Sequence, residues 1–206
     1  TNIITGIFHY ENSQNKIYNS MLVLNKDEKF YNKRHLVPFG EYTPFKTFFS
    51  YIAKQLDIPM SNLSHGDLNQ KPFLINNITI HPLICYEIAY SSLIKMTSDY
   101  SVIVNISNDS WFGNTFAPYQ HLQIAQVRAL ETAHPIIRAA NTGISAIIDK
   151  NGLIIKEISL DTEGLINGEV YPSKGISPYM YFGDYPVLML IFSIMLFYWN
   201  GYRKYE

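Results

Sequence analysis

The chain has 206 residues, enough to bury one good core, so one main domain is expected. Apolar residues make up 47% and charged residues only 16%, with a net charge of −1. That balance offers no basic stripe to a nucleic acid and hints at a membrane-associated stretch.

The start, Thr1-Asn2-Ile3-Ile4, carries no basic n-region and no apolar h-region. No signal peptide is therefore expected, and the stretch reads as interior to something longer. Thr1–His9 and Lys16–Leu24 read as two strands around the polar turn Glu11–Asn15. Lys26–Pro44 reads as a loop punctuated by Pro38, Gly40 and Pro44. In Phe45–Leu56, the residues Phe45, Phe48, Phe49, Ile52 and Leu56 recur at helical spacing, which predicts a helix. Ser64–Lys71 is a polar connector. Phe73–Ile75 and Ile78–Cys85 form a hairpin-like pair around Asn76-Asn77.

Ser91–Ser98 suits a short helix, and Ser101–Ile106 a buried strand followed by the polar loop Ser107–Asn114. Tyr119–Thr132 is the clearest helix, with Leu122, Ala125, Ala129 and Ala133 facing inward. Four further strands are expected at Ile136–Asn141, Ser145–Asp149, Leu153–Ile158 and Gly164–Val170, with a hairpin turn at Asp149–Gly152. Strands that alternate with helices and then run on as hairpins imply a layered α/β domain with a mixed sheet.

The tail differs. Val187–Trp199 is apolar apart from Ser193, and aromatic residues flank it: Tyr179, Tyr181, Phe182 and Tyr185 before, Tyr198, Trp199 and Tyr202 after. Tyr181–Tyr202 is about as long as a bilayer span requires. Arg203 and Lys204 follow it, which by the positive-inside rule places the C-terminus in the cytoplasm and the main domain on the other side.

Cys85 ends an apolar strand and precedes a turn into a helix. A cysteine there is either a small buried hydrophobe or a nucleophile whose neighbouring backbone N–H groups face a developing oxyanion. As the only cysteine it cannot build a disulfide framework. Lys33 lies in a loop stiffened by prolines; it is either solvated or a cation that favours a thiolate. Glu41 and Glu87 are either surface charges or orienting carboxylates. The six histidines, among them His121 and His134, lack metal-ligand spacing, and no Gly-rich phosphate loop occurs. No metal or other cofactor is expected.

Tyr31–Glu41, with Tyr42 and Pro44, resembles the lysine motif of the nitrilase, or carbon–nitrogen hydrolase, superfamily. His35–Tyr42 is similar to the form found in its membrane-bound acyltransferase branch. Ile84-Cys85-Tyr86-Glu87 resembles that branch's nucleophile motif, Asn105–Gly113 the loop after it, and Gln120-His121, Arg128–Glu131 and Arg138–Ser145 its helix–strand block. The resemblance implies a nitrilase-like αββα sandwich, present in part over residues 1–178, and a C-terminal transmembrane helix with a short cytoplasmic tail over 179–206.

It further implies Cys85 as nucleophile, Lys33 as the triad lysine, Glu41 as an active-site glutamate and Glu87 as a glutamate beside the nucleophile. Tyr86 would form part of the oxyanion pocket, and Trp111 would sit on a loop near the acyl chain. The implied reaction moves a fatty acyl chain from a phospholipid donor, through a thioester, to the N-terminal amine of a diacylglyceryl-cysteine lipoprotein. The setting would be the outer face of a bacterial inner membrane. The alternatives are a soluble-type amidase or nitrilase, and a catalytically dead membrane-anchored fragment. The family's base glutamate, well upstream of the lysine, has no match here: only Glu11 and Glu28 precede Lys33. The expectation is an incomplete site, inactive alone, with a separate N-terminal half as a potential partner.

Overall fold

A computed structural model describes residues 2–25, 27–44, 62–94, 99–113 and 115–202. The strands are β1 (Ile3–Glu11), β2 (Lys16–Leu24), β3 (Glu28–Asn32), β4 (Phe73–Ile75), β5 (Ile78–Ile84), β6 (Ser101–Ser107), β7 (Ile136–Ala140), β8 (Ser145–Ile148) and β9 (Ile154–Ile158). The helices are α1 (Ala117–Thr132), α2 (Pro178–Phe182) and α3 (Tyr185–Tyr202). Short 3₁₀ turns cover Cys85–Ala89, Ser91–Leu93 and Ser110–Phe112.

β1, β2 and β3 form an antiparallel sheet. The second sheet has the order β4-β5-β6-β7-β8-β9, parallel through β5, β6 and β7 and antiparallel at both flanks. The sheets pack face to face: Met21, Val23 and Tyr31 of the first meet Phe73, Ile80, Ile84, Val102 and Val104 of the second. The opposite face of the second sheet, with Leu83, Ile103, Ile136 and Ile148, receives Leu122, Ala125 and Ala129 of α1. Each Val, Leu, Ile, Met or Phe side chain so buried contributes about 1.5–3 kcal/mol. Among the described residues the layers are thus sheet, sheet, helix. The helix expected at Phe45–Leu56 lies outside them.

Most elements fall where the sequence places them, and the Asn76-Asn77 turn has the two positive φ angles, 48° and 64°, of a tight hairpin. Four expectations are corrected. Lys26–Pro44 is not all loop, because Glu28–Asn32 pairs with β2 and buries Tyr31. Gly164–Val170 is not a strand; it lies over β8 and β9, with Gly168 close to Ile147 and the Asn167 carbonyl accepting from Lys156. Ala133 does not face the core: it ends α1 in the left-handed conformation, φ 56°, and is exposed.

The fourth correction concerns the tail. Tyr181–Tyr202 is not one helix, because Gly183, at φ 56°, closes α2 before α3 begins. No helix among the described residues is long and apolar enough to cross a membrane. The side chains of residues 185–199 in α3 nevertheless stand open: Leu190, Phe192, Met195 and Phe197 are all exposed.

Candidate active site

Cys85 follows directly on β5 and opens the first 3₁₀ turn with φ 52°. A left-handed backbone at a non-glycine residue costs about 1–3 kcal/mol and persists only where its surroundings over-determine it. Two sets of buried polar groups, one on each side, provide that constraint.

On the loop side, Lys33 follows β3 and is 1% exposed. A lone buried ammonium would be very costly. The segment Val37–Tyr42 folds back on itself, with Phe39 at φ 62° and Glu41 N–H on the Val37 carbonyl, and returns a carboxylate to it. Lys33 Nζ donates to Glu41 Oε2 at 2.7 Å. Val37 N–H donates to the same oxygen, and Asn19 Nδ2 donates to Oε1.

Glu87 is fully buried and meets no cation among its hydrogen-bond partners. Its Oε1 accepts from the backbone N–H groups of Arg34 and His35, and its Oε2 from Ile84 N–H and the Tyr31 hydroxyl. Burial, and then the negative charge of Glu87, push the Tyr31 phenol well above its ordinary pKa. This carboxylate ties the Lys33 loop to the Cys85 turn.

On the sheet side, register brings the polar groups together. Leu83, Asn105 and Arg138 lie side by side across β5, β6 and β7, near the carboxyl ends of these parallel strands. Arg138 donates to Asn105 Oδ1 and, at 2.7 Å, to Asp109 Oδ2. Asp109 Oδ1 accepts from Ser107 Oγ and lies 3.0 Å from His121 Nδ1. His121 rides on α1, and its Nε2 donates to the Cys85 carbonyl at 3.3 Å. Asn105 Nδ2 donates to the same carbonyl at 3.4 Å and to that of Leu83.

Burial opposes the charge on Asp109, but the bonds from His121 and Ser107 and the Arg138 guanidinium outweigh it and hold its pKa below the ordinary value. Burial pulls the Arg138 pKa down, opposed by the charge of Asp109 and the hydrogen bond to it. Farther along α1, Arg128 donates to the carbonyls of Ile88 and Ala89, which fastens the end of the turn to the helix.

Cys85 and Glu41 line one cavity of about 810 Å³, together with Trp111, Ile106 and the β1 residues Thr5–Phe8. Its walls are mostly apolar. Of the six residues picked from the sequence, Cys85, Glu41 and Trp111 line this space, and Lys33 reaches it through its bond to Glu41. Trp111 is 74% exposed. Glu87 sits behind the turn. Tyr86 is not among the lining residues; its ring meets that of Tyr90 edge-on. Glu11 ends β1 opposite Lys16, away from the cavity. No cluster of metal-ligating groups occurs among the described residues.

Sequence reasoning assigned no role to Asn105, Asp109, His121 or Arg138. A signal was present: Asn105 and Arg138 each interrupt an apolar strand, and a buried polar side chain there demands partners.

The carbon-nitrogen hydrolase family model matches residues 1–176, and the chain belongs to that family. It is 42% identical over 197 residues to the apolipoprotein N-acyltransferase of Coxiella burnetii, covering 95% of this chain and 41% of that protein. The enzyme of the same name from Nitrosomonas europaea is 39% identical, over 94% of this chain and 39% of its own length. The chain therefore spans about two fifths of these relatives.

Among solved structures, a carbon-nitrogen hydrolase from Helicobacter pylori G27 superposes with a TM-score of 0.58 at 16% identity, over 80% of this chain and 59% of that one. An amidase from Nesterenkonia sp. AN1, captured with acrylamide added at its active-site cysteine, has a TM-score of 0.54 at 13% identity, over 93% and 69% of the two chains. Both likenesses concern the fold.

Proposed function

We propose that this chain carries the nucleophile part of a lipoprotein N-acyltransferase site. The observation that carries the reading is the placement of Cys85. It sits in a held left-handed turn at the end of β5 and opens, beside the Lys33–Glu41 pair, into a largely apolar cavity. The names of the similar full-length proteins support the substrate class.

The Cys85 thiolate attacks the ester carbonyl of a phospholipid. An S–C bond forms, the ester C–O bond breaks, and a lysophospholipid leaves with a proton. The α-amine of a diacylglyceryl-cysteine then attacks the thioester, an amide forms, and the thiol is regenerated. Splitting one acyl transfer in two in this way lowers each barrier. Lys33 supplies positive charge to the thiolate and the tetrahedral oxyanion, and Glu41 orients it. Trp111 meets the acyl chain.

None of the described residues lining the cavity matches the family's base glutamate. A base accepts the thiol proton in the first half-reaction and returns it to the leaving lysophospholipid. The all-round apolar surface of α3 fits lipid, with the layered domain on the extracytoplasmic face. Its 18 residues reach about 27 Å against a hydrocarbon core of about 30 Å.

Incubating the detergent-solubilised chain with phospholipid labelled in its acyl group tests the reading. Label held as a hydroxylamine-labile thioester, absent in Cys85→Ala, is the expected outcome. Label that persists in that variant overturns the assignment. Release of the chain from membranes by alkaline carbonate contradicts the insertion of α3.

A further inference from the structure

We propose that His121 is a positioning residue that acts on the Cys85–Tyr86 peptide and through it aims an oxyanion donor; this rests on the reading of Cys85 as nucleophile. Three observations carry it.

The Cys85 carbonyl accepts from two buried side chains, His121 Nε2 at 3.3 Å and Asn105 Nδ2 at 3.4 Å. Both donors are held from behind. Arg138 occupies Asn105 Oδ1, which fixes the direction of the amide. Asp109 Oδ1 and Arg138 Nη2 lie 3.0 and 3.1 Å from His121 Nδ1. The carbonyl can only accept, so Nε2 carries the hydrogen; in the neutral ring Nδ1 then accepts from Arg138, and Nδ1 donates to Asp109 as well only when the ring is an imidazolium.

The peptide is trans and planar, so its C=O and N–H point in opposite directions. A carbonyl drawn into the buried network turns the Tyr86 N–H away from it; on this proposal that is the side from which a substrate carbonyl reaches Cys85. The φ of 52° at Cys85 is what this orientation costs, and the two donors offset it. The Tyr86 side chain itself is turned toward Tyr90 and has no part in this.

An oxyanion donor matters when a carbonyl is attacked and not when a thiolate displaces a halide. Acylation and alkylation of Cys85 therefore separate this role from a general structural one. The experiment uses the full chain in detergent at about pH 9, where a cysteine ionises without a protein base. The p-nitrophenolate burst from p-nitrophenyl butyrate reports acylation, and iodoacetamide reports alkylation.

His121→Met, which keeps the bulk but loses the donor, should slow the burst about tenfold or more while leaving alkylation within about twofold. His121→Gln, which keeps an N–H donor, should recover much of the burst. If the methionine variant fails to fold, His121→Leu replaces it. Equal loss in both reactions, no loss in either, or glutamine no better than methionine overturns the inference alone. A wild-type chain that alkylates but gives no burst overturns the nucleophile reading together with it.

Discussion

The two sides of the Cys85 turn hold it by different physics. On the loop side, the Lys33–Glu41 pair lies at the cavity and Glu87 is satisfied by hydrogen bonds to neighbouring chain segments. On the sheet side, Asn105 of β6, Asp109 of the loop after it, Arg138 of β7 and His121 of α1 form a closed polar network, with the Arg138–Asp109 pair fully shielded from solvent. The loop side brings charge to the cavity that Cys85 lines. The sheet side exposes no charge and fixes direction. An active site needs both, because a charge that is not aimed stabilises substrate and transition state alike.

The largest expected break in this comparison is Glu87→Ala. It orphans the N–H groups of Ile84, Arg34 and His35 and the Tyr31 hydroxyl at once. At about 1–3 kcal/mol for each buried group left unsatisfied, and allowing for water that enters, the loss is about 5 kcal/mol. A urea denaturation midpoint that hardly moves would show that the carboxylate is no clamp.

Next comes Arg138→Met, which strands Asp109 as a buried carboxylate and costs about 3–5 kcal/mol by the same measurement. Its acid dependence adds a sign. The folded pKa of Asp109 lies below its unfolded value of about 3.9. Its contribution is therefore full above about pH 4 and is lost as pH falls through the lower folded value. Asp109→Asn should flatten that acid limb of midpoint against pH; an unchanged limb would mean that the network is electrostatically idle.

The smallest effect is expected for Trp111→Ala. The side chain is 74% exposed, so stability should stay within about 0.5 kcal/mol. Binding of a fluorescent phospholipid analogue should weaken several-fold, and unaltered binding would remove Trp111 from the acyl-chain path.

Much of the loop side was legible in the chain. Lys33, Glu41, Cys85 and Glu87 sit in short motifs, and the strand-to-turn pattern around Cys85 points to an exposed, held side chain. What the pattern did not convey was the division of labour: two similar glutamates, one at the cavity and one clamping backbone behind the turn. β3 was hidden because Glu28 and Lys29 mask its alternation, and its strand character comes from pairing with β2. Gly164–Val170 alternates like a strand, yet it crosses over β8 and β9 without joining either.

The sheet side was nearly illegible. Its bonds link residues far apart in sequence, such as His121 to Cys85 and Arg138 to Asn105. Gly143 shows the same limit: a Cβ there would lie 2.2 Å from Asp109 Oδ2, a constraint no local pattern reveals.

Local rules acting on the sequence alone settled the period of most strands and helices, the tight turns and the apolar tail, whereas Cys85 and Lys33 became candidates through the motifs they sit in. Spacing and turn chemistry operate over a few residues and leave a readable trace. Only the tertiary structure decided which carboxylate faces the cavity and which histidine meets the Cys85 carbonyl. Those depend on strand register and on α1 crossing the sheet, where a residue's partner is chosen by packing rather than by its neighbours in the chain.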